Sequence, residues 1–141
     1  MYMLFMSVLL FVNGANLAAL KSDPNLEKRS DKALQYAALD VDEARDSYNA
    51  GRVREAKQAL QEVREAVDFS YESLKETGKD PRKHAKYFKR AEVKLRELLR
   101  RLHGLSDEWS VADRPAFDPV VARLQEVHDE LLTGIMGKKN E

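Results

Sequence analysis

Three histidines, His84, His103 and His128, are the side chains best suited to ligate a metal or transfer a proton near neutral pH. A carboxylate-bridged di-iron bundle needs Glu-x-x-His pairs, and none of the three histidines has a glutamate three residues before it. The sequence also lacks His-Glu-x-x-His, a glycine-rich phosphate loop and a Gly-x-Ser-x-Gly elbow. We therefore expect structural or solvent-exposed histidines, with haem held by a histidine and Met136 as the open alternative.

Acidic side chains cluster at Asp40, Asp42, Glu43 and Asp46. A calcium loop needs alternating oxygen ligands around a central glycine, whereas these residues fall in a segment with helical periodicity. We expect them on a solvated helix face. The chain contains no cysteine, which excludes disulfides, thiolate metal sites and cysteine nucleophiles. The sequence thus predicts no catalytic residue, no metal site and no cofactor.

Charge is unevenly distributed along the chain. Residues 79–103 hold ten basic side chains against three acidic ones, whereas residues 40–76 and 105–135 are both acidic overall. Two interpretations remain open, because the basic segment could pair with its acidic neighbours or form an exposed anion-binding face. The candidate residues of that face are Lys83, Lys86, Tyr87, Arg90, Lys94 and Arg101.

The composition limits the class of protein and of partner. The 141 residues suffice for one domain, and a hydrophobic fraction of 43% is too high for a disordered chain. With 24 basic and 24 acidic residues, the chain has no net charge to attract nucleic acid. We expect a protein partner, with an anionic envelope polymer or a membrane surface as the alternative.

The first twenty residues contain no charged side chain. Their apolar segment, residues 2–12, is shorter than the roughly 20 residues that span a bilayer, which favours a signal peptide. Cleavage could follow Gly14 or Ala18. No lysine or arginine precedes the apolar segment, so an uncleaved anchor and a helix packed into the domain remain alternatives. We predict a leader over 1–20, a domain over 21–141, and a periplasmic or secreted location.

Aspartate–proline pairs and glycines divide the rest of the chain into four segments. Aspartate caps helix starts, proline suits the first helical position, and glycine ends helices in a left-handed conformation. Because the connections are short, we predict an all-α, antiparallel four-helix up-down bundle. The predicted starts are Asp23-Pro24, Asp80-Pro81 and Asp118-Pro119, and the predicted ends are Gly51, Gly78, Gly104 and Gly137. The predicted spans are about 24–50, 52–77, 81–103 and 119–136.

Apolar residues recur at intervals of three and four within each span, as expected for helices with one buried face. The stripe of the first helix is Leu34, Ala37, Val41, Ala44 and Tyr48, and that of the second is Val53, Ala56, Leu60, Val63, Val67 and Leu74. The third has Phe88, Ala91, Leu95, Leu98 and Leu102, and the fourth has Val120 or Val121, Leu124, Val127, Leu131 and Ile135.

The spacing Ala44-x3-Tyr48-x2-Gly51-x-Val53-x2-Ala56-x3-Leu60 resembles a single tetratricopeptide hairpin over residues 44–60. No second copy follows at the period of that family, and repeat arrays need about three units. The resemblance therefore implies a tight helical hairpin and protein binding without the usual repeat groove. The rest of the chain is similar to small exported bacterial helical proteins of unassigned function.

Trp109, the single tryptophan, lies in the longer connection between the third and fourth helices. Ser110 and Asp113 have the spacing of a capping box, which predicts a short helical turn over 111–114. Trp109 itself is expected either to cover the open end of the bundle or to be an exposed anchor for a partner.

These observations favour a small exported helical-bundle module of the cell envelope, interacting or structural and without catalysis. The alternative is an anion-binding protein that uses the basic segment, residues 79–103, for envelope polymers, lipid headgroups or an acidic partner.

Overall fold

The structure of the chain, a computed structural model, describes residues 17–137. That part of the chain is all-helical, with four long helices and no strand, which confirms the predicted all-α class. Most of the predicted leader, residues 1–16, lies outside the described residues, as do residues 138–141. The helices are α1 (Leu26–Asn49), α2 (Val53–Glu76), α3 (Ala85–Glu108) and α4 (Asp118–Met136), and a 3-10 turn, Arg114–Phe117, precedes α4.

The start of α1 is fixed by side-chain capping. The side-chain oxygen of Asn25 accepts the backbone N–H of Lys28 at 3.0 Å, which satisfies one of the unpaired donors of the first turn. The carboxylate of Asp23 in turn accepts the N–H of Asn25 at 2.9 Å. The cap is therefore Asn25 and not the predicted Asp23, and the helix begins one residue after it.

Glycine ends helices at three of the four predicted positions. Gly51, Gly78 and Gly137 have φ values of 81°, 66° and 63°, a region in which a Cβ atom is strained. The predicted end at Gly104 is wrong, because α3 continues through it for another turn. Leu105 is buried just beyond it, so continued burial of the apolar face outweighs the ~1 kcal/mol by which glycine disfavours a helix interior.

The Asp80-Pro81 pair forms a turn ahead of α3 and does not begin the helix, contrary to the prediction. The carboxylate of Asp80 accepts the N–H of Arg82 at 2.9 Å, as in an Asx turn. Its backbone carbonyl accepts the N–H groups of Lys83 and His84 at 3.1 and 2.9 Å. The corresponding prediction for α4 is correct to within one residue, because that helix begins at Asp118, which is its first residue and not its cap.

The predicted apolar stripes form one continuous core, except for Val53, which is not part of it. Alanines permit a close approach of α1 and α2, and five of them on these two helices are completely buried: Ala33, Ala37, Ala44, Ala56 and Ala59. The larger core side chains of α1, α3 and α4 are Leu34, Val41, Phe88, Leu95, Leu98, Leu99, Leu102, Leu105, Val120, Leu124, Val127 and Leu131.

The helices pack in a different order from their order in the sequence. The most extensive contacts are those of α1 with α2 and α3, and of α4 with α2 and α3. Asp31 of α1 pairs with Arg90 and Lys94 of α3, and Asp42, later in α1, pairs with Arg101, later in α3. Helices α1 and α3 therefore run in the same direction along each other.

The segment before α1 also packs against the domain. Residues 17–20 are helical, the side chain of Leu20 is buried, and that of Leu17 packs against the core at partial exposure. The predicted boundary after residue 20 would therefore separate Leu17 and Leu20 from the core against which they pack. Between residues 17 and 137, no helix combines the length and the hydropathy needed to cross a membrane.

Candidate functional site

A half-open groove runs between the parallel helices α1 and α3. It has a volume of about 610 Å³, within the range of ligand-binding pockets. Ala38 contributes to the gap because its short side chain does not fill the space facing α3, and Leu34 and Leu98 add apolar surface. Val93 lies beside the groove and is 53% exposed, which is high for a large apolar side chain on a helix.

Long cationic side chains line the groove on the α3 side. They are Lys94, Arg96, Arg100 and Arg101, and Glu97 is the one acidic residue among the lining residues. Aliphatic stems of such side chains cover apolar surface while the charged groups reach water. The groove therefore combines apolar walls with a positively charged edge.

Two of these cations connect α3 to α1. Lys94 pairs with Asp31, and Arg90 approaches the same carboxylate at 2.9 Å. Arg101 pairs with Asp42 and also donates to the backbone carbonyl of Ala38. These partly buried pairs hold the two walls of the groove at a fixed spacing.

The other two cations pair within α3 and face solvent. Arg96 donates to both carboxylate oxygens of Glu92 at 3.2 Å, and Arg100 donates to Glu97. The side chains of Arg96 and Arg100 are 64% and 75% exposed. Exposed pairs of this kind contribute at most ~1 kcal/mol, so both guanidinium groups can exchange partners at little cost.

The six residues predicted as an anion-binding face thus occupy two different environments. Arg90, Lys94 and Arg101 pair with the acidic side chains of α1 described above. Lys83 and Lys86 are exposed and have no carboxylate within 4.0 Å in the described part of the chain, and the Lys86 ammonium lies 5.4 Å from the centre of the Tyr87 ring. The structure therefore divides the basic segment into a paired part facing α1 and an unpaired part at the start of α3.

Trp109 packs inside the protein and is 2% exposed. Its ring stacks on Tyr48 with 4.2 Å between centroids and meets Phe117 edge-on at 4.6 Å. The hydroxyl of Ser110 donates to Asp113 at 2.9 Å, but the reciprocal backbone bonds of a capping box do not form, because the N–H of Ser110 donates to Tyr48. The predicted turn over 111–114 is present, since the carbonyl of Ser110 accepts the N–H groups of Asp113 and Arg114 at 2.9 and 3.2 Å, and the 3-10 turn follows it. Trp109 therefore covers the end of the core and does not present an anchor at the surface.

Tyr48 and Lys57 join distant elements through contacts that the sequence did not predict. The hydroxyl of Tyr48 donates to Asp113 and accepts the backbone N–H of Ser110, each at 2.9 Å. Lys57 of α2 also pairs with Asp113, at 3.3 Å. Hydrogen bonds from Ser110 and Tyr48 lower the pKa of the Asp113 carboxyl. The capping-box spacing pointed to Asp113, but no local pattern could indicate its contact with Tyr48.

Asp40 contradicts the expectation of a solvated acidic face, because it is only 3% exposed. Burial, together with the nearby carboxylates of Glu62 and Glu43, raises its pKa to about 8. The pKa of Glu62 on α2 is also raised, chiefly by burial. Near neutral pH, the protonated carboxyl of Asp40 donates a hydrogen bond to Glu62 across the two helices. The spacing of Asp40 from Ala37 and Ala44, which lie on the buried stripe, was the sequence signal for this burial.

The histidines form no metal site in the described residues. His84 and His103 are exposed, whereas the ring of His128 is 13% exposed, with Nε2 lying 3.5 Å from a Glu92 oxygen. Across residues 17–137, no group of three or more histidine and acidic side chains is arranged to hold a metal. Met136, the other residue considered for haem, has an exposed side chain.

Comparison of the chain with protein-family models, curated proteins and solved structures finds no match.

Proposed function

We propose that the chain is a small, non-catalytic interaction module of the cell envelope, and that the groove between α1 and α3 is its binding surface. The groove is the observation that carries this proposal. It is concave, its lining is largely apolar, and Val93 beside it is 53% exposed. A protein surface with these properties is typical of a binding site.

The proposed architecture is an up-down bundle made of two stacked hairpins. The hairpins are α1–α2 and α3–α4. Their first helices, α1 and α3, lie side by side, and so do their second helices, α2 and α4. The shared direction of α1 and α3 supports this arrangement, as do the contacts of α2 with α4. Two stacked hairpins leave a shallow groove between their first helices and another between their second helices. The groove between α1 and α3 fits that description. The resemblance of residues 44–60 to a tetratricopeptide hairpin remains a prediction.

The proposed location is the periplasm or the exterior of the cell, following cleavage of the uncharged N-terminal segment. The absence of charge over residues 1–20 and the apolar stretch within them support export. A protein retained by an uncleaved anchor in the same compartment would present the groove equally well.

The second candidate function is anion binding at the start of α3. The specific observation in its favour is that Lys83 and Lys86 are exposed without a carboxylate within 4.0 Å in the described part of the chain. Retention on heparin resin at about 0.1 M salt tests this function, because screening at that ionic strength still permits a cluster of charges to act. Retention that is lost in a Lys83→Gln/Lys86→Gln variant supports it, and no retention of the parent chain excludes it.

Site-specific photocrosslinking tests the leading proposal. A photoreactive amino acid at Val93 should give a discrete adduct in the envelope of the host. The matched control is Val111, which is 75% exposed but does not line the groove. Adducts from Val93 and not from Val111 support the groove as the binding surface. Absence of adducts, or the same adducts from both positions, contradicts it.

A further inference from the structure

We propose that the groove between α1 and α3 binds a single-chain alkyl carboxylate, such as a medium-chain or long-chain fatty acid anion. This inference rests on the proposed function, because it names the ligand class of the same groove. It follows from three features, which are the nature of the walls, the charge at the edge and the size of the space.

The walls of the groove suit an unbranched hydrocarbon chain. Ala38 from α1 and Val93 from α3 provide accessible aliphatic surface, and the buried side chains of Leu34 and Leu98, each 3% exposed, form the floor beneath them. The groove contains no aromatic ring and no serine or threonine hydroxyl among its lining residues. It therefore offers no stacking for a ring, and its uncharged polar lining is limited to the amide of Gln35, so burial of apolar surface is the main available source of affinity.

The edge of the groove suits one carboxylate. Lys94 and Arg101 are held by the carboxylates of Asp31 and Asp42, so they act as fixed parts of the wall. Arg96 and Arg100 remain as exposed guanidinium groups whose partners lie on their own helix. A guanidinium group donates two parallel hydrogen bonds to a carboxylate, and such charge-assisted pairs are stronger than neutral hydrogen bonds.

The same charges disfavour other amphiphiles. A cationic amphiphile would find only one carboxylate among the lining residues, Glu97, which already accepts from Arg100. A neutral alcohol would bury the same chain, but its uncharged oxygen would accept a weaker hydrogen bond from Arg96 or Arg100 than a carboxylate does. At about 610 Å³, the space has the size of a pocket for one small ligand. Charge complementarity therefore selects an anionic headgroup on a single apolar chain.

The direct test is titration of the full chain with dodecanoate below its micelle concentration, monitored by calorimetry. We expect saturable binding of one ligand per chain. Dodecanol, with the same chain length and no charge, should bind at least about tenfold more weakly, since one charge-assisted hydrogen bond accounts for that factor. Equal binding of dodecanol, or no saturable binding of dodecanoate, overturns the inference.

Three variants locate the site. Arg96→Gln/Arg100→Gln should weaken dodecanoate binding about tenfold while keeping most of the aliphatic stems. Ala38→Trp should abolish binding by filling the groove. Lys89→Gln is the matched control, because Lys89 is an exposed cation of α3 outside the groove, and it should bind like the parent. Equal effects of Lys89→Gln and Arg96→Gln/Arg100→Gln would overturn the site assignment.

The two proposals can fail separately. If photoreactive Val93 captures a partner protein but dodecanoate does not bind, the ligand class is wrong and the groove remains the binding surface. If Val93 crosslinks only to the N-terminal segment of its own chain, that segment occupies the groove and the alkyl carboxylate is excluded. If Val93 gives no adduct and dodecanoate does not bind, both proposals fail.

Discussion

The rings of Tyr48 and Trp109 lie face to face, with 4.2 Å between their centroids and planes within 5° of parallel. Tyr48 is near the end of α1, and Trp109 follows the last residue of α3. The hydroxyl of the same tyrosine bonds to Ser110 and Asp113 in the connection to α4. One aromatic side chain of the first hairpin therefore fixes the end of α3 and the entry into α4.

Replacing Tyr48 with phenylalanine should destabilise the protein by ~1–2 kcal/mol, because the N–H of Ser110 and the carboxylate of Asp113 each lose a partner. The stacking on Trp109 is retained in this variant. Denaturant unfolding followed by circular dichroism measures the change. Tyr36→Phe is the control, since the hydroxyl of Tyr36 forms no hydrogen bond within the described residues, and its effect should stay within ~0.5 kcal/mol. Equal stability of the two variants would contradict the assigned role of the Tyr48 hydroxyl.

The buried carboxyl of Asp40 should make stability depend on pH. An unfolded aspartate releases its proton near pH 3.9, whereas the folded protein holds that of Asp40 up to about pH 8. Folding therefore takes up a proton between these values. The free energy of unfolding should fall as pH rises from about 4 to 8, because the stabilisation present at low pH is lost as Asp40 ionises.

An Asp40→Asn variant tests this dependence. The amide can still donate a hydrogen bond to Glu62 but cannot ionise, so the variant should be more stable than the parent at pH 9 by ~2 kcal/mol or more. Urea unfolding at pH 5, 7 and 9 provides the comparison. Parallel stability curves for parent and variant across this range would show that Asp40 does not titrate as proposed.

Charge reversal on α3 should affect folding only where the cation pairs with α1. Lys94→Glu replaces a cation that pairs with Asp31 by a second carboxylate and should cost ~1 kcal/mol of stability, less at high salt. Lys89→Glu is the matched control on the same helix, with an expected effect within ~0.5 kcal/mol. Thermal unfolding at 0.05 and 0.5 M salt measures both. A cost for Lys89→Glu equal to that for Lys94→Glu would argue against specific pairing between the two helices.

The packing of residues 17–20 against the domain favours one of the two cleavage positions in the predicted leader. Cleavage after Ala18 would remove Leu17, which packs against the core, and would leave Leu20 next to a new charged terminus. Cleavage after Gly14 keeps both side chains and the helical residues 17–20. We predict a mature protein that begins at Ala15. The intact mass of the protein from its own host checks this, and a first residue of Ala19, or an intact Met1 in the cytosol, contradicts it.

The sequence predicted the helices well and the tertiary contacts less well. Spacing of Leu34, Val41 and Leu95 was sufficient to identify buried faces, because helical periodicity is a local property. The failure at Gly104 arose because burial beyond the glycine outweighed its weak tendency to end a helix. The expectation that Asp40 is exposed followed from its residue type, although its position on the apolar stripe indicates burial.

The candidate site could not be predicted from local sequence patterns, because the residues that form it lie far apart in the chain. The basic segment identified α3 correctly as the unusual helix, and internal pairing was one of the two interpretations left open. The residues that complete the groove, Leu34 and Ala38, lie far away in the chain and come beside α3 only because α1 and α3 pack as neighbours. That packing order cannot be read from helix lengths and connections alone.

The yield of the Val93 photoadduct in a chain that also carries Ala38→Trp tests directly whether the groove is the binding surface. The indole should fill the groove from the α1 side, and the half-buried position of Ala38 leaves room for it toward solvent. We expect loss of the adduct with the thermal midpoint of the parent retained. An undiminished adduct in a folded Ala38→Trp variant would show that the partner binds elsewhere.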